Sequence, residues 1–204
     1  MASIIKVQDV QNSSGANIIN ESSNTITIGA SGDNIIIPSG ATITNNGTSV
    51  GLGGVNTPAF LVSGGGAVTI SDDTWTKIQL GTENLDTDNA YDNATNYRFA
   101  PTEAGQYFVF AGTKVNANQV GELREVYLAI YKNGSIHTML HEENLNNAFD
   151  EYRREASGST IIDMNGTSDY LELYVYINNT TGSPAYTGSG VKGTRFGAYK
   201  LIGA

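Results

Sequence analysis

Carboxylates and two histidines are where any chemistry would have to begin in this chain. Asp86-Thr87-Asp88 followed by Asp92 has the alternating acids that open a calcium loop, since a hard cation wants several oxygen ligands from one short segment. An EF-hand starting at Asp86 needs Gly at its sixth position and Glu at its twelfth; those positions hold Tyr91 and Tyr97, so that motif fails. Two readings stay open: calcium held by Asp86, Asp88 and Asp92 in a loop between strands, or a solvated acidic loop. His137 and His141 precede Glu142-Glu143 and lack the His-Glu-x-x-His order of a metalloprotease. The two histidines are expected to straddle a strand end as surface or interface residues. Glu142/Glu143 and Asp150/Glu151 would suit glycoside hydrolysis only if two carboxylates faced each other ~5–10 Å apart across a sugar cleft. Adjacent acids in a polar run read more simply as solvated loop. No P-loop lysine motif is present, and no cofactor is expected beyond that calcium.

The elements that must position these residues are strands. Twenty-four glycines, only four prolines and a heavy load of Asn, Thr and Ser favour short strands joined by tight turns. Tyrosine outnumbers phenylalanine, 11 to 6, which suits strands that bury a ring and leave a hydroxyl at a surface. The net charge is −9 and no basic cluster exceeds two residues, which argues against nucleic acid as a partner. The absence of cysteine excludes disulfides and thiolate metal sites. No apolar run approaches the ~20 residues of a helical membrane span. The opening MASIIKVQDV lacks the basic and apolar regions of a secretory signal, so synthesis in a cytoplasm without ordinary export is expected.

Residues 1–55 differ from the rest. They contain no aromatic residue and four charges, Lys6, Asp9, Glu21 and Asp33, and their apolar content is mainly Ile and Val. Strands are predicted at Ile4–Val7, Thr25–Ile28, Asn34–Ile37 and Ala41–Thr44, separated by Ser-Gly and Asn-Gly turns. Ile18, Ile26, Ile35 and Ile43 recur every eight or nine residues. So small a segment cannot close a core with isoleucine alone, but three chains wound together would share one along an axis. The segment is therefore read as an attachment or shaft piece, with Ile4, Ile5, Val7 and Val10 as its gripping residues. A disordered leader is the plainer alternative. Gly51 to Pro58 reads as a linker into a second domain, 56–204.

That domain carries strands at sandwich spacing: 59–63, 67–70, 74–80, 97–100, 106–114, 125–132, 135–140, 155–164, 169–178 and 193–202. Asn133-Gly134 is a hairpin turn of the type that requires two left-handed residues. Glu142 to Arg154 is either a long loop or one short surface helix. An all-β jelly-roll sandwich is the predicted architecture. On the strand from Tyr170 to Ile177, alternation places Leu171, Leu173, Val175 and Ile177 on one face and Tyr170, Glu172, Tyr174 and Tyr176 on the other. A tyrosine face beyond the core points to subunit contact ahead of ligand binding, joined by Tyr127 and Ile130 or Tyr131.

Several residues in fixed order carry a family likeness: Pro58-Ala59-Phe60, Tyr91-Asp92 with Thr95 and Phe99, Pro101, Gly105-Gln106-Tyr107, Tyr131-Lys132-Asn133-Gly134, and Phe196-Gly197-Ala198-Tyr199 with Leu201. From Pro58 to Ile202 the chain resembles the C1q/TNF-like head domain. It departs from that pattern at Val109, where the family usually has Phe, and in a longer gap from Tyr91 to Phe99. The resemblance implies a C-terminal jelly roll that assembles as a homotrimer, with Phe99, Tyr107 and Phe110 fixing the sandwich and its trimer contacts. Together with the N-terminal segment, the whole resembles bacteriophage virion structural proteins. The function expected is a non-enzymatic trimeric fibre on the virion surface. Its N-terminal segment would meet other virion proteins of the capsid or tail, and its head would meet a host-surface glycan or protein. A capsid decoration protein bracing the capsid is the alternative, followed by a polysaccharide-degrading tail spike and, last, a secreted bacterial adhesin.

Overall fold

The computed structural model describes residues 9–11, 17–22, 25–28, 31–42, 56–64, 66–144, 152–188 and 193–202. Every regular element among them is a β-strand. The chain divides into two units, Met1–Val50 and Gly51–Ala204.

In the first unit β1 (Asp9–Gln11), β2 (Asn17–Ser22) and β3 (Thr25–Ile28) form an antiparallel three-stranded meander. Two-residue turns at 31–32 and 39–40 each use a left-handed glycine, Gly32 and Gly40. The predicted strand at Asn34–Ile37 does not form, and Ala41 and Thr42 are likewise outside any strand. A strand exists only when a neighbour takes its backbone hydrogen bonds, and the segment 33–38 has no strand beside it among the described residues. Ile35, Ile36 and Ile37 are all exposed, Ile36 by 82 %. β1 and β2 carried too little alternation to be foreseen. Val10 lies in β1, whereas Ile4, Ile5 and Val7 fall outside the described residues.

The second unit is a sandwich of two antiparallel sheets. Its strands are β4 (Ala59–Ser63), β5 (Thr69–Ile70), β6 (Thr76–Lys77), β7 (Thr82–Asp86), β8 (Tyr91–Asp92), β9 (Arg98–Phe99), β10 (Gly105–Asn116), β11 (Leu123–Lys132), β12 (Ser135–Asn144), β13 (Arg153–Met164), β14 (Leu171–Asn179), β15 (Ala185–Thr187) and β16 (Thr194–Lys200). One sheet runs β5-β15-β10-β16-β4-β7, with β13 on the free side of β10. The other runs β12-β11-β14-β9-β8, with β6 also on β14. The last strand lies between the first strand of the sandwich and β10, and the chain crosses repeatedly between the sheets, as from β9 to β10 to β11 and from β12 to β13 to β14; this is a jelly roll.

Period-two alternation aims each strand's apolar set inward. Val126, Leu128 and Ile130 of β11 and Leu171, Leu173, Val175 and Ile177 of β14 meet Tyr107, Val109 and Ala111 of β10 and Phe196 and Ala198 of β16. Ile130 is therefore core and not part of the outward tyrosine face. At the centre Phe60 stacks on Phe99 (ring centroids 4.3 Å) and Tyr91 (5.1 Å) and meets Phe196 edge-on (4.9 Å), while Phe99 meets Tyr107 edge-on. Tyr107 buries its ring and donates its hydroxyl to the Glu103 carbonyl at 2.7 Å, pinning the turn that feeds β10. The hairpin at Asn133-Gly134 has both residues left-handed, and the Asn133 side chain ties it to Tyr170 and Asp169.

Some boundaries differ from the expected ones. The stretch 74–80 is a strand only at Thr76–Lys77, and β7, β8 and β15 were unforeseen because their sequences are short and polar. Of 142–154, β12 continues through Asn144 and β13 starts at Arg153; residues 145–151, which include Asp150 and Glu151, lie outside the described set.

Candidate binding surfaces of the head

The acidic loop is built by its own backbone. Asp86 ends β7 and accepts the amides of Tyr91 (2.8 Å), Ala90 (3.0 Å) and Asp88 (3.3 Å). Asp92 accepts the amides of Ala94, Thr95 and Asn96 and the Asn96 side chain. Those donors hold its carboxyl well below the usual carboxylate range, the Thr95 amide foremost. Asp88 accepts the Thr87 hydroxyl. Asp86 and Asp92 thus serve as turn caps, and among the described residues no group of three His, Cys, Asp or Glu is disposed to hold a metal. Calcium at Asp86, Asp88 and Asp92 draws no support from this arrangement.

The histidines and acids near them also take places unlike those expected. His137 and His141 both sit within β12 and do not straddle its end. Irregularities in the β11–β12 register shift the strand between them. His141 lies 3.6 Å from Glu143 of the same strand, which also approaches Arg154 of β13 at 3.7 Å. Glu142 and Glu143 alternate along the strand and line no common cleft. A shallow polar hollow of about 60 Å³, lined by Gly112, Lys114, Glu155, Ser157 and Arg195, is far smaller than an ordinary small-molecule cleft.

What the sandwich does display is two apolar outer faces. On the β10 sheet, Leu85, Leu61, Gly197, Phe110 and Ser159 form one cross-strand row, and Ala59, Tyr199, Phe108 and Ile161 the next. Phe108 contacts both Tyr199 (5.4 Å) and Phe110 (6.3 Å), and Ile161 is 54 % exposed. These two rows contain no charge. Phe110 therefore faces outward and is not part of the core with Phe99 and Tyr107.

On the opposite sheet, Tyr127, Ala129 and Tyr131 of β11 face the same way as Glu172, Tyr174 and Tyr176 of β14, with Ile136, Met139 and Glu142 of β12 opposite them in register. Tyr127 stacks on Tyr176 (5.2 Å, 12°) and Tyr131 on Tyr174 (3.8 Å, 21°). Trp75, on the approach to β6, lies across them, 5.5 Å from Tyr176, 6.0 Å from Tyr131 and 6.4 Å from Tyr127. Ala129 is fully buried yet does not belong to the core cluster, so this outer layer packs by itself. Burial raises the hydroxyl pKa of Tyr131, and of Tyr127 and Tyr174 beside acids. Tyr176 is pushed up to about 12, first because it donates to Asp73. Lys77 neutralises the buried Glu172. Tyr170 stands apart from the cluster, under the Arg98 guanidinium at 4.4 Å. Trp75 was missed as a member because only the fold brings its loop over β14; its being the sole tryptophan was the one available signal.

Solved structures similar to this chain include TNF-type domains. Murine APRIL at pH 8.0 aligns with a TM-score of 0.47 and 11 % identity over 70 % of this chain and 98 % of its own. Eiger TNF from S. frugiperda aligns with a TM-score of 0.47 and 12 % identity over 72 % of this chain and 93 % of its own. At that identity and score the likenesses bear on neither activity nor partner. No protein-family model matches the chain, and no curated protein matches it.

Proposed function

We propose that the chain is a non-enzymatic homotrimeric surface protein of a bacteriophage virion, a short fibre that presents the jelly-roll head for host-surface adhesion. The observation that carries self-association is the pair of uncharged rows on the outer face of the β10 sheet. A contiguous apolar face around Phe108, Phe110, Tyr199 and Ile161 is the signature of an interface, since solvent gains nothing from it. A closed three-copy ring uses such a face through head-to-tail contacts, and the resemblance stated above implies three copies. Adhesion by three identical heads gains avidity without a tight single site. The virion reading draws support from the two-part organisation, an aromatic-free isoleucine-rich unit ahead of a compact head.

Sedimentation of the full chain tests the first half: a trimer is expected, and replacing Phe108 and Phe110 by Asp should release folded monomers. A wild-type monomer at micromolar concentration overturns the assembly. Antibody labelling of purified virions tests the second half, and its failure to decorate particles removes the virion assignment.

A further inference from the structure

Beyond its two uncharged rows, the outer face of the β10 sheet becomes polar and charged. Ser157 of β13, Gly112 of β10 and Arg195 of β16 stand opposite one another in register, and Lys114 pairs with Glu155 in the next outward row. These residues line the shallow polar hollow of about 60 Å³. Gly112 is its floor. A methyl group placed there would already touch the Arg195 guanidinium carbon at 3.5 Å, so the bare strand lets that guanidinium lie down beside the hollow. Lys114 is bonded to Glu155 at 3.0 Å. Among the described residues no carboxylate pairs with Arg195, and no hydrogen bond engages the Ser157 hydroxyl. Two cations and one carboxylate leave one positive charge over, in a chain whose net charge is −9.

We infer that this hollow binds the carboxylate of an acidic sugar, a uronic-acid unit of a host-surface glycan. The inference rests on the reading of the head as the molecule's adhesive end and names a ligand class for it. A guanidinium presents paired N–H donors that match both oxygens of a carboxylate. One added negative charge neutralises the hollow, whereas a phosphate monoester brings nearly two. The hollow has room for one such group, so the body of the ligand lies outside it, on polar surroundings. There the Ser157 hydroxyl and the exposed Glu155 carboxylate suit the hydroxyls of a sugar. Tyr186, exposed on the same face beside Asn116, offers a ring to the sugar units that follow. An acidic peptide would instead press its further charges against Glu155 and the negative chain as a whole. Charge is depleted at the core of a subunit contact, so the hollow lies at the edge of the contact proposed above and stays open.

Methyl glucuronoside is titrated against the full-length protein at constant ionic strength and followed by saturation-transfer NMR. Methyl glucoside serves as the sugar without the charge, and acetate as the charge without the sugar. Expected is saturable binding of the glucuronoside, weaker binding of acetate and none of the glucoside. Arg195→Gln should weaken the glucuronoside about tenfold or more, the factor that corresponds to losing a charge-assisted hydrogen-bonded pair. Arg195→Lys, which keeps the charge and loses the fork, should fall between that variant and wild type. Unchanged unfolding midpoints show that both variants are folded. Equal affinity for acetate marks a site for an adventitious ion only and overturns the proposal, as does equal affinity for the glucoside or an unchanged midpoint of binding in Arg195→Gln. Binding of labelled wild-type protein to host cells is measured in parallel. Glucuronoside binding without cell binding leaves this inference standing and removes the adhesion reading, whereas cell binding without glucuronoside binding does the reverse.

Discussion

Gly197 of β16 lies beneath the ring of Phe110 on the neighbouring strand: a methyl group placed on Gly197 would fall 2.5 Å from Phe110 Cζ and 2.9 Å from the Phe60 carbonyl oxygen. The outer face of the β10 sheet therefore has an aromatic ring lying down on a position that only glycine leaves open.

Replacing Gly197 by Ala should lift Phe110 off the sheet and press on the β4 backbone. The expected loss is about 1–3 kcal/mol, the usual range for overpacking, read as a lower thermal midpoint. Because the same ring belongs to the proposed contact face, the variant should also sediment more slowly than wild type at equal concentration. An unchanged midpoint would mean that Phe110 has room to move.

Phe60 holds the centre of the core, touching Tyr91, Phe99 and Phe196 at once. Truncating it to Ala removes the ring that bridges both sheets, with an expected cost of about 3–5 kcal/mol. Denaturant titration measures it. A cost below 1 kcal/mol would contradict the packing described.

Tyr107 sets its hydroxyl at the edge of the buried ring cluster, bonded to the Glu103 carbonyl, and burial with nearby Glu103 pushes its pKa up to about 12. Tyr107→Phe keeps the ring and loses the tie, so stability should fall by about 0.5–1.5 kcal/mol. The change should appear as faster amide exchange around 101–105 than elsewhere in the head.

Asp169 gives the fold a pH dependence with a definite sign. It accepts Asn133 Nδ2 (2.8 Å), Lys132 Nζ (2.9 Å) and the Asn165 amide (2.9 Å), and these donors, Asn133 first, lower its pKa from 3.8 to about 2. A carboxylate whose folded pKa lies below its unfolded one stabilises fully above the unfolded value and loses that contribution as pH falls through the folded one. The wild type should therefore lose stability between about pH 4 and pH 2, and Asp169→Asn should flatten that stretch of the curve. Parallel profiles for the two proteins would show that the Asn133–Asp169 tie is immaterial to folding.

Asp86 and Asp92 direct their oxygens at backbone amides, so a calcium chelator should leave the unfolding midpoint unchanged, whereas Asp86→Ala should lower it by about 1–3 kcal/mol through orphaned amides at Ala90 and Tyr91. A midpoint that drops with chelator and recovers with calcium would restore the metal reading.

Much of the sandwich could be read from the chain without coordinates, because alternation is a local property. The run Tyr170–Ile177 separates into a leucine face and a tyrosine face by parity alone, and β11 and β14 carry that parity into the structure unchanged. Asn133-Gly134 announces its turn because so few residue pairs accept two left-handed conformations in succession. Parity could not say which faces would be covered. Phe108 and Phe110 alternate with Tyr107 and Val109, and an aromatic residue on either parity reads as core until the opposite sheet is placed. Trp75 joins Tyr127, Tyr131 and Tyr176 across strands far apart in sequence, a meeting decided by the β6–β14 pairing. The acids at 86, 88 and 92 have the spacing of a calcium loop, yet the oxygens of Asp86 and Asp92 go to the nearest amides, and only backbone geometry determines that choice. Residue type and spacing thus settled the long strands of the sandwich and which side of each would be apolar. Sheet order and loop placement, which depend on long-range pairing, decided which apolar sides became core and which stayed exposed to meet a partner.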